Sequence, residues 1–483
     1  CSLLAASFPS QTFFSSQGTY QDQQSTYYSA SQASLTPTCR VSPKGPSDVA
    51  KILAMATQDE NRCQFAVRTG GHMAWSGASN IGKEGFTIDL QELVLEDGQA
   101  RVRLSEDKAA VSFSAGVRWR DVYRVLKPEN LTTVGGRIGD VGVGGFLLGG
   151  DYILNYEIVL FNGTIINANG SSHSDLYWAL KLGSTNYGIV TRFDMVTYPQ
   201  GPVWGGSQFF SIHDAPVLLN HLVAFTKNFD KDPKAFFGLS LAWNPQAKDY
   251  IIWTLQTYLK PVPYPSPLWD DLRDSTAKPL IDMMGIKNLV DVTEEFKEAD
   301  PGKHGRSRWL SMTYKPDVKF HLDLHAKGVE LFEPYHDHPG VHWAVSIQPI
   351  PKKFSGASSV QKRGENPSCL KQETGDLWVM VITTDWLDPA DDKVMNTNAE
   401  TLLEWAEDEA RKRGLFHPFI YPNYASGSQS VMERSTSPEA LRKMGVISRM
   451  YDPKGVLNEL WRGGFKISRR GELEGWVYDR VEL

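Results

Sequence analysis

The spacing of apolar residues changes character near residue 203. Before it, short β-branched or aromatic runs such as Phe65-Ala66-Val67, Phe86-Thr87-Ile88 and Ile153-Leu154-Asn155-Tyr156 alternate with helical stretches and glycine turns, the pattern of small α/β units. Beyond it, longer strand-like runs at 235–243, 250–258, 341–348 and 377–386 are interleaved with helical stretches. One helix is predicted over 215–228, and another from Thr397 or Asn398 to Arg413, with Leu402, Leu403 and Trp405 set among charges. An antiparallel sheet with helices on one face accommodates this second pattern. Residues 1–35, rich in Ser, Gln and Tyr, read as an irregular lead-in, and 466–483 as a charged, solvated tail. The expected division is 1–202, 203–415, and 416–483 returning to the first unit.

Two glycine-rich segments interrupt the first unit. The strand-like Phe65-Ala66-Val67 runs into Arg68-Thr69-Gly70-Gly71-His72, then Met73-Ala74-Trp75-Ser76-Gly77. Glycines allow a left-handed turn and close approach to a ligand, and successive N–H groups in such a turn form a concavity for an anion such as a pyrophosphate. Read alone, the segment is equally a strand ending in a surface turn with a histidine. The second segment, 134–151, reads VGGRIGDVGVGGFLLGGD, with eight glycines in eighteen residues. It is neither a P-loop nor a strand–GxGxxG–helix fingerprint. Its interleaved Val141, Val143, Phe146, Leu147 and Leu148 mark a packed segment rather than a polar linker. Two such turns tied to apolar strands suit a long diphosphate ligand gripped by backbone.

Composition narrows the class. At 483 residues the chain can build two sizeable cores, and 41% hydrophobic residues is ordinary for a globular protein. No apolar run of about 18 residues is present, so no membrane span is expected. A formal charge of −6 points to neither nucleic acid nor an anionic membrane as partner. Four cysteines do not set their own connectivity. Sequons at Asn130-Leu131-Thr132, Asn162-Gly163-Thr164 and Asn169-Gly170-Ser171 favour a secreted protein. No signal peptide is visible, and a start at Cys1 suits a processed or trimmed product.

The pair of glycine segments resembles the FAD-binding domain of the berberine bridge enzyme-like FAD-linked oxidases, of the vanillyl-alcohol oxidase (PCMH-type FAD-binding) superfamily, with the texture of a fungal member. Further matches follow in order: 43–53, Gly85-Phe86-Thr87-Ile88-Asp89-Leu90, Asp175-Leu176-Tyr177-Trp178-Ala179-Leu180, Gly188-Ile189-Val190-Thr191, Tyr421-Pro422-Asn423-Tyr424 and Tyr451-Asp452-Pro453-Lys454-Gly455. The resemblance implies an α+β fold, in which a two-lobed FAD domain joins a substrate domain whose antiparallel sheet is covered by helices. It implies FAD contacts from Arg68, Thr69, Gly70, Gly71, His72, Met73, Ser76 and Gly77. The second segment would add Val134, Gly135, Gly136, Ile138, Gly139, Val141, Gly142, Gly144, Gly145 and Gly149, and the later matches Gly188, Ile189, Val190 and Asn423. It also suggests a Cys39–Cys63 disulfide, with Cys1 and Cys369 free or paired elsewhere. Relatives carry a longer connection after the second segment, whereas here Asp151 follows Gly149-Gly150 directly. Either that loop is deleted or a mobile Gly-edged loop is absent from this sequence, the second being preferred.

By the same resemblance His72 bonds covalently to the flavin 8α-methyl, a role its neutral ring nitrogen suits. Many relatives add a cysteinyl link where this chain has Ile138, so attachment through His72 alone is expected. A dissociable FAD with a hydrogen-bonding His72 is the alternative. Tyr424 is the expected proton acceptor, with Asn423 a flavin contact. A strand over 421–424 would put Tyr421 and Asn423 on one face and Tyr424 on the other. A phenol needs a nearby cation or strong donor to act as base, and spacing does not reveal one. Two stacked core tyrosines are the plain alternative.

The expected reaction is hydride abstraction from a small organic molecule, a hydrophobic secondary metabolite, with dioxygen as acceptor and hydrogen peroxide as product. Oligosaccharide oxidation is a second reading, weakened by the absent cysteine. A third is non-redox isomerisation or cyclisation, including Diels–Alder-type chemistry, on a flavoprotein scaffold. A monomer is expected. No metal set is complete. His321 and His325, with His336, His338 and His342, could instead line the substrate pocket.

Overall fold

A computed structural model describes residues 1–467 apart from 97, 150–152, 300–304, 355–364 and 372–373. The junction where a longer loop was expected, after Gly149, and the tail from 468 lie outside the described residues.

Two larger sheets and a two-stranded pairing of Leu131–Thr132 with Tyr198–Pro199 form the first unit. In one, Cys39–Val41, Gly85–Asp89 and Gln64–Arg68 run parallel, with Thr12–Phe13 antiparallel at the edge. The crossover helix Pro46–Thr57 opens with a proline, whose missing N–H costs nothing in a first turn, and buries Val49, Ile52, Leu53 and Ala56. The other sheet is antiparallel, in the order Val102–Leu104, Ala110–Ser114, Ile189–Val196, Ile153–Val159, Ile165–Asn169. The C-terminal segment closes this unit. Ile420, Met444, Leu457 and Trp461 enter its core, and the Arg462 amide donates to the Phe65 carbonyl at 2.7 Å.

The remainder is a nine-stranded antiparallel sheet. The helices Ala215–Asn228, Val318–Phe332 and Asp392–Lys412 bury their apolar stripes in the core on one of its faces. The last helix starts earlier than predicted. Its buried stripe is Met395, Ala399, Leu402, Ala406 and Ala410, so alanines at helical spacing carry more of the seam than the larger Leu403 and Trp405. Strand alternation assigns the other face. Phe237, Leu310 and Ile347 point into the helix-covered core, while their neighbours Phe236, Trp309 and Gln348 face the first unit.

The lead-in departs from expectation. Helices Ser2–Ser7, Gly18–Ser25 and Ala30–Ala33 occur where irregular chain was expected. Polar composition masked the anchors Leu4, Phe8, Tyr20 and Tyr27, all buried. With Leu4 and Phe8 docked, Cys1 reaches the strand Cys39–Val41, and the disulfide is Cys1–Cys39, with Cα atoms 5.9 Å apart. This corrects the Cys39–Cys63 expectation: Cys63 and Cys369 are free.

Beneath the lead-in lies a fully buried ion cluster. Asp89 meets Arg40 at 2.8 Å and Arg68 at 3.2 Å, with all three side chains at 0% exposure. Burial pushes the Asp89 carboxyl up, but Arg68 and Arg40 outweigh it and hold it below its ordinary 3.8. A carboxylate with a depressed folded-state pKa stabilises the fold above its unfolded value and loses that contribution as pH falls through the folded one. Asp89→Asn is therefore expected to lower unfolding free energy at pH 7 by about 3–5 kcal/mol, the range for breaking a buried pair. The deficit should shrink as denaturant titrations move to acid pH; a deficit that grows on acidification would contradict this account.

Candidate flavin and substrate site

The two glycine segments meet. A Cβ on Gly70 would stand 2.5 Å from the Gly142 Cα, and a Cβ on Gly142 2.5 Å from the Gly70 Cα, so both positions exclude any side chain. Gly71 has φ +65°, the left-handed region. The Gly70 and Gly71 amides meet no protein acceptor among the described residues, as expected of groups that bind a ligand anion. Arg118 secures the turn from the side, donating to the Gly70 carbonyl at 3.2 Å and to the Asp140 carbonyl at 2.5 Å.

These segments wall a cavity of about 420 Å³. Of the residues expected at the cofactor, Thr69, Gly70, Gly71, His72 and Met73 line it. So do Gly135, Gly136, Ile138, Val141, Gly142, Gly144, Gly145 and Gly149, then Ile189, Val190, Asn423 and Tyr424. Six expected residues stand outside the lining. Arg68 belongs to the ion cluster behind the turn. Ser76 faces a separate polar cleft. Gly77 packs by its carbonyl against Gly463. Val134 is exposed. Gly139 adjoins Arg120 and Glu294, and Gly188 abuts Val159 and Ile158 in the sheet. Each of these residues falls on the side of the motif away from the cavity, a distinction invisible in a linear pattern. Spacing also did not reveal Trp75, Trp309, Gln348 and Trp461 in the wall.

Residues 421–424 are not a strand. Pro422–Tyr424 forms a single 3₁₀ turn with proline in its first turn, and the Tyr421 and Tyr424 rings sit edge to face at 5.0 Å. The alternation argument therefore fails here. Asn423 Nδ2 donates to the Tyr421 hydroxyl at 2.9 Å and to the Phe146 carbonyl at 3.1 Å. Burial, then the neighbouring Tyr424, pushes the Tyr421 hydroxyl up to about 12, so it stays protonated at neutral pH. Tyr424 has a different partner: Arg137 donates a hydrogen bond to its oxygen, and Tyr424 in turn donates to Gln348 Oε1 at 3.4 Å. Arg137 lies over the Phe236 ring, 4.9 Å from its centroid. It is the cation that spacing did not reveal, and the available signal was a lone charge among the apolar and glycine residues just before Ile138. Arg137 is the one Lys, Arg, Asp or Glu in the cavity lining among the described residues.

The His72 ring lies 4.4 Å from the Tyr28 ring and 6.1 Å from the Trp309 ring. The other histidines lie elsewhere. His321 and His325 are buried under the large sheet, with burial holding them neutral at about 3 and about 4. His336 stacks on Trp243 at 3.6 Å, while His338 and His342 bond Asp391 and Asp385. None of these five lines the cavity.

A family model described as an FAD binding domain matches residues 37–169. The FAD-dependent monooxygenase tpcD of Cochliobolus heterostrophus is 32% identical over 478 residues, covering 92% of this chain and 87% of that one. The chain belongs to the family of FAD-dependent oxidoreductases that includes this relative. Among solved structures this oxidoreductase resembles 6-hydroxy-D-nicotine oxidase of Arthrobacter nicotinovorans, with TM-score 0.75, 17% identity, and 93% and 97% of the two chains covered. It also resembles the BBE-like 1 protein of Physcomitrella patens, with TM-score 0.71, 17% identity and coverage of 94% and 97%. At that identity these likenesses establish the fold, the α+β PCMH-type architecture. The residues present fit FAD: paired glycine backbones, unpaired turn amides and a long apolar wall match a diphosphate joined to flat rings.

Because Gly142 touches backbone on the opposite side, a methyl group there cannot be absorbed by a side-chain movement. Gly142→Ala is expected to fold yet lose flavin by about tenfold, in line with a 1–3 kcal/mol overpacking cost. The readout is the ratio of visible flavin absorbance to protein absorbance after purification, and full loading would refute the close-contact argument.

Proposed function

We propose that this oxidoreductase is an oxidase that removes a hydride from a carbon of a small, largely apolar secondary metabolite and passes the electrons to dioxygen, releasing hydrogen peroxide. In this reading residues 1–202 and 416–483 hold the cofactor and 203–415 cover the substrate. FAD, when bound, supplies the two-electron acceptor. His72 tethers it through the flavin 8α-methyl, and Ile138, which has no nucleophile, leaves that link single.

One observation carries the reading: Arg137, Tyr424 and Gln348 form a connected polar group on an otherwise mainly apolar wall. As the substrate C–H bond gives up its hydride, the substrate must also release a proton, and Tyr424 is the acceptor at hand. Arg137 donates a hydrogen bond to the Tyr424 oxygen and holds it in position. Trp309 and Ile138 exclude water and orient the substrate, since alignment of the reacting atoms contributes several kcal/mol. The absence of a cysteine at position 138 weighs against a sugar substrate. Secretion is part of the same proposal, supported by exposed Asn130 and Asn162 in two sequons.

The name of the tpcD relative supports a second reading, monooxygenation, in which one oxygen atom enters the product and the other leaves as water at the expense of a two-electron nicotinamide reductant added to the assay. Turnover of apolar alcohols under ¹⁸O₂ separates the two: the oxidase yields unlabelled product and one peroxide per product, whereas label in the product supports the monooxygenase. Tyr424→Phe is expected to slow flavin reduction by about 10²–10⁴-fold, the usual contribution of a general base. In acid precipitation, flavin should stay with the parent protein and be released from His72→Ala. Free flavin from the parent would end the covalent assignment.

A further inference from the structure

Arg68 lies directly behind the turn that carries Gly70 and Gly71, and it is fully buried. A Cβ on Gly71 would lie 2.8 Å from Arg68 Nε, and that nitrogen has no hydrogen-bond partner among the described residues. The rest of its guanidinium is fixed by Asp89, the Gln23 carbonyl and Thr26, and it lies 4.0 Å over the Tyr27 ring. The charges around this turn do not cancel. Arg40 and Arg68 share the single carboxylate of Asp89. Arg118, bonded to the Gly70 carbonyl, is a third cation on the other side, with Asp140 and Asp121 as its nearest opposite charges, so the uncompensated charge lies with Arg40 and Arg68. The nearby Asp140 carboxylate is engaged by Arg120 and stands 3.9 Å from Lys297, while Asp121 accepts the Arg118 backbone amide. An excess buried positive charge is costly unless an anion compensates it.

We propose that Arg68, seconded by Arg118, is a positioning residue for the cofactor: a cationic backing that supplies countercharge to the diphosphate of FAD through the Gly70–Gly71 turn, without lining the cavity. The proposal rests on the turn holding that diphosphate. The turn amides provide the hydrogen bonds, and the arginines behind them provide the field, which is effective because little water intervenes to screen it. Arg68 thus has two functions, securing the lead-in over Asp89 and completing an anion site whose missing partner is the cofactor.

The test uses the full chain carrying His72→Ala, freed of flavin, with three probes: FAD, ADP, which has the diphosphate but no flavin, and riboflavin, which has the flavin but no phosphate. In that background, Arg68→Met is expected to weaken ADP and FAD binding by about tenfold or more, the scale of one partly shielded charge contact, and to leave riboflavin binding unchanged. Arg68→Lys, which keeps the charge, should recover most of the loss. Stability is read separately, as the rise in melting temperature on saturation with ADP. That rise should shrink in Arg68→Met even if the ligand-free protein also melts lower. A purely structural Arg68 would lower both melting temperatures by the same amount and weaken riboflavin and ADP alike, and that result would overturn the proposal. Unaltered ADP affinity in Arg68→Met would overturn the proposal while leaving the assignment of the turn to the diphosphate in place. Failure of ADP to bind the parent would instead overturn the assignment of the turn to the diphosphate, and the proposal with it.

Discussion

The contact between the Gly70 and Gly142 backbones is the constraint on which the rest of this molecule depends. Two segments seventy-two positions apart come together at a distance that no side chain permits. That closure joins the parallel sheet carrying Gln64–Arg68 to the chain leading into the antiparallel sheet, and it creates a cleft walled by backbone. Backbone amides provide directional hydrogen bonds without side-chain entropy loss, which suits the binding of a large, charged cofactor.

The large sheet does a different job. Its strands alternate between a face sealed by three helices and a face that contributes Phe236, Trp309 and Gln348 to the region of the cavity. The sheet is held rigid by its own core, so the few side chains on the open face are positioned by strand geometry rather than by loops. Arg137 links the two parts: it arises from the second glycine segment, stacks on Phe236 of the sheet and bonds Tyr424 of the C-terminal segment. Three regions distant in sequence thereby converge on one phenol.

Around the Gly70–Gly71 turn, electrostatics and folding are coupled. The ion cluster of Arg40, Arg68 and Asp89 fastens the N-terminal lead-in, and the Cys1–Cys39 disulfide fastens it again at the neighbouring strand. The lead-in then supplies Tyr28, whose amide bonds the Gly71 carbonyl and whose ring flanks His72. A segment that reads as featureless polar chain is therefore the support for the histidine.

The sequence by itself carried the two glycine segments and the helix-backed sheet, and its resemblance to a known family carried the α+β class and the roles expected of His72 and Tyr424. These are local properties: glycine runs, apolar periodicity and motif order are written within short windows. It also set the absence of a nucleophile at Ile138. Only the tertiary structure decided that Arg137 meets Tyr424, that 421–424 turns instead of extending, that Cys39 pairs with Cys1, and that Arg68 stands behind the cavity wall instead of in it. Each of these depends on which segments become neighbours across long stretches of chain, and on which side of a turn a residue falls, and packing fixes both where periodicity cannot.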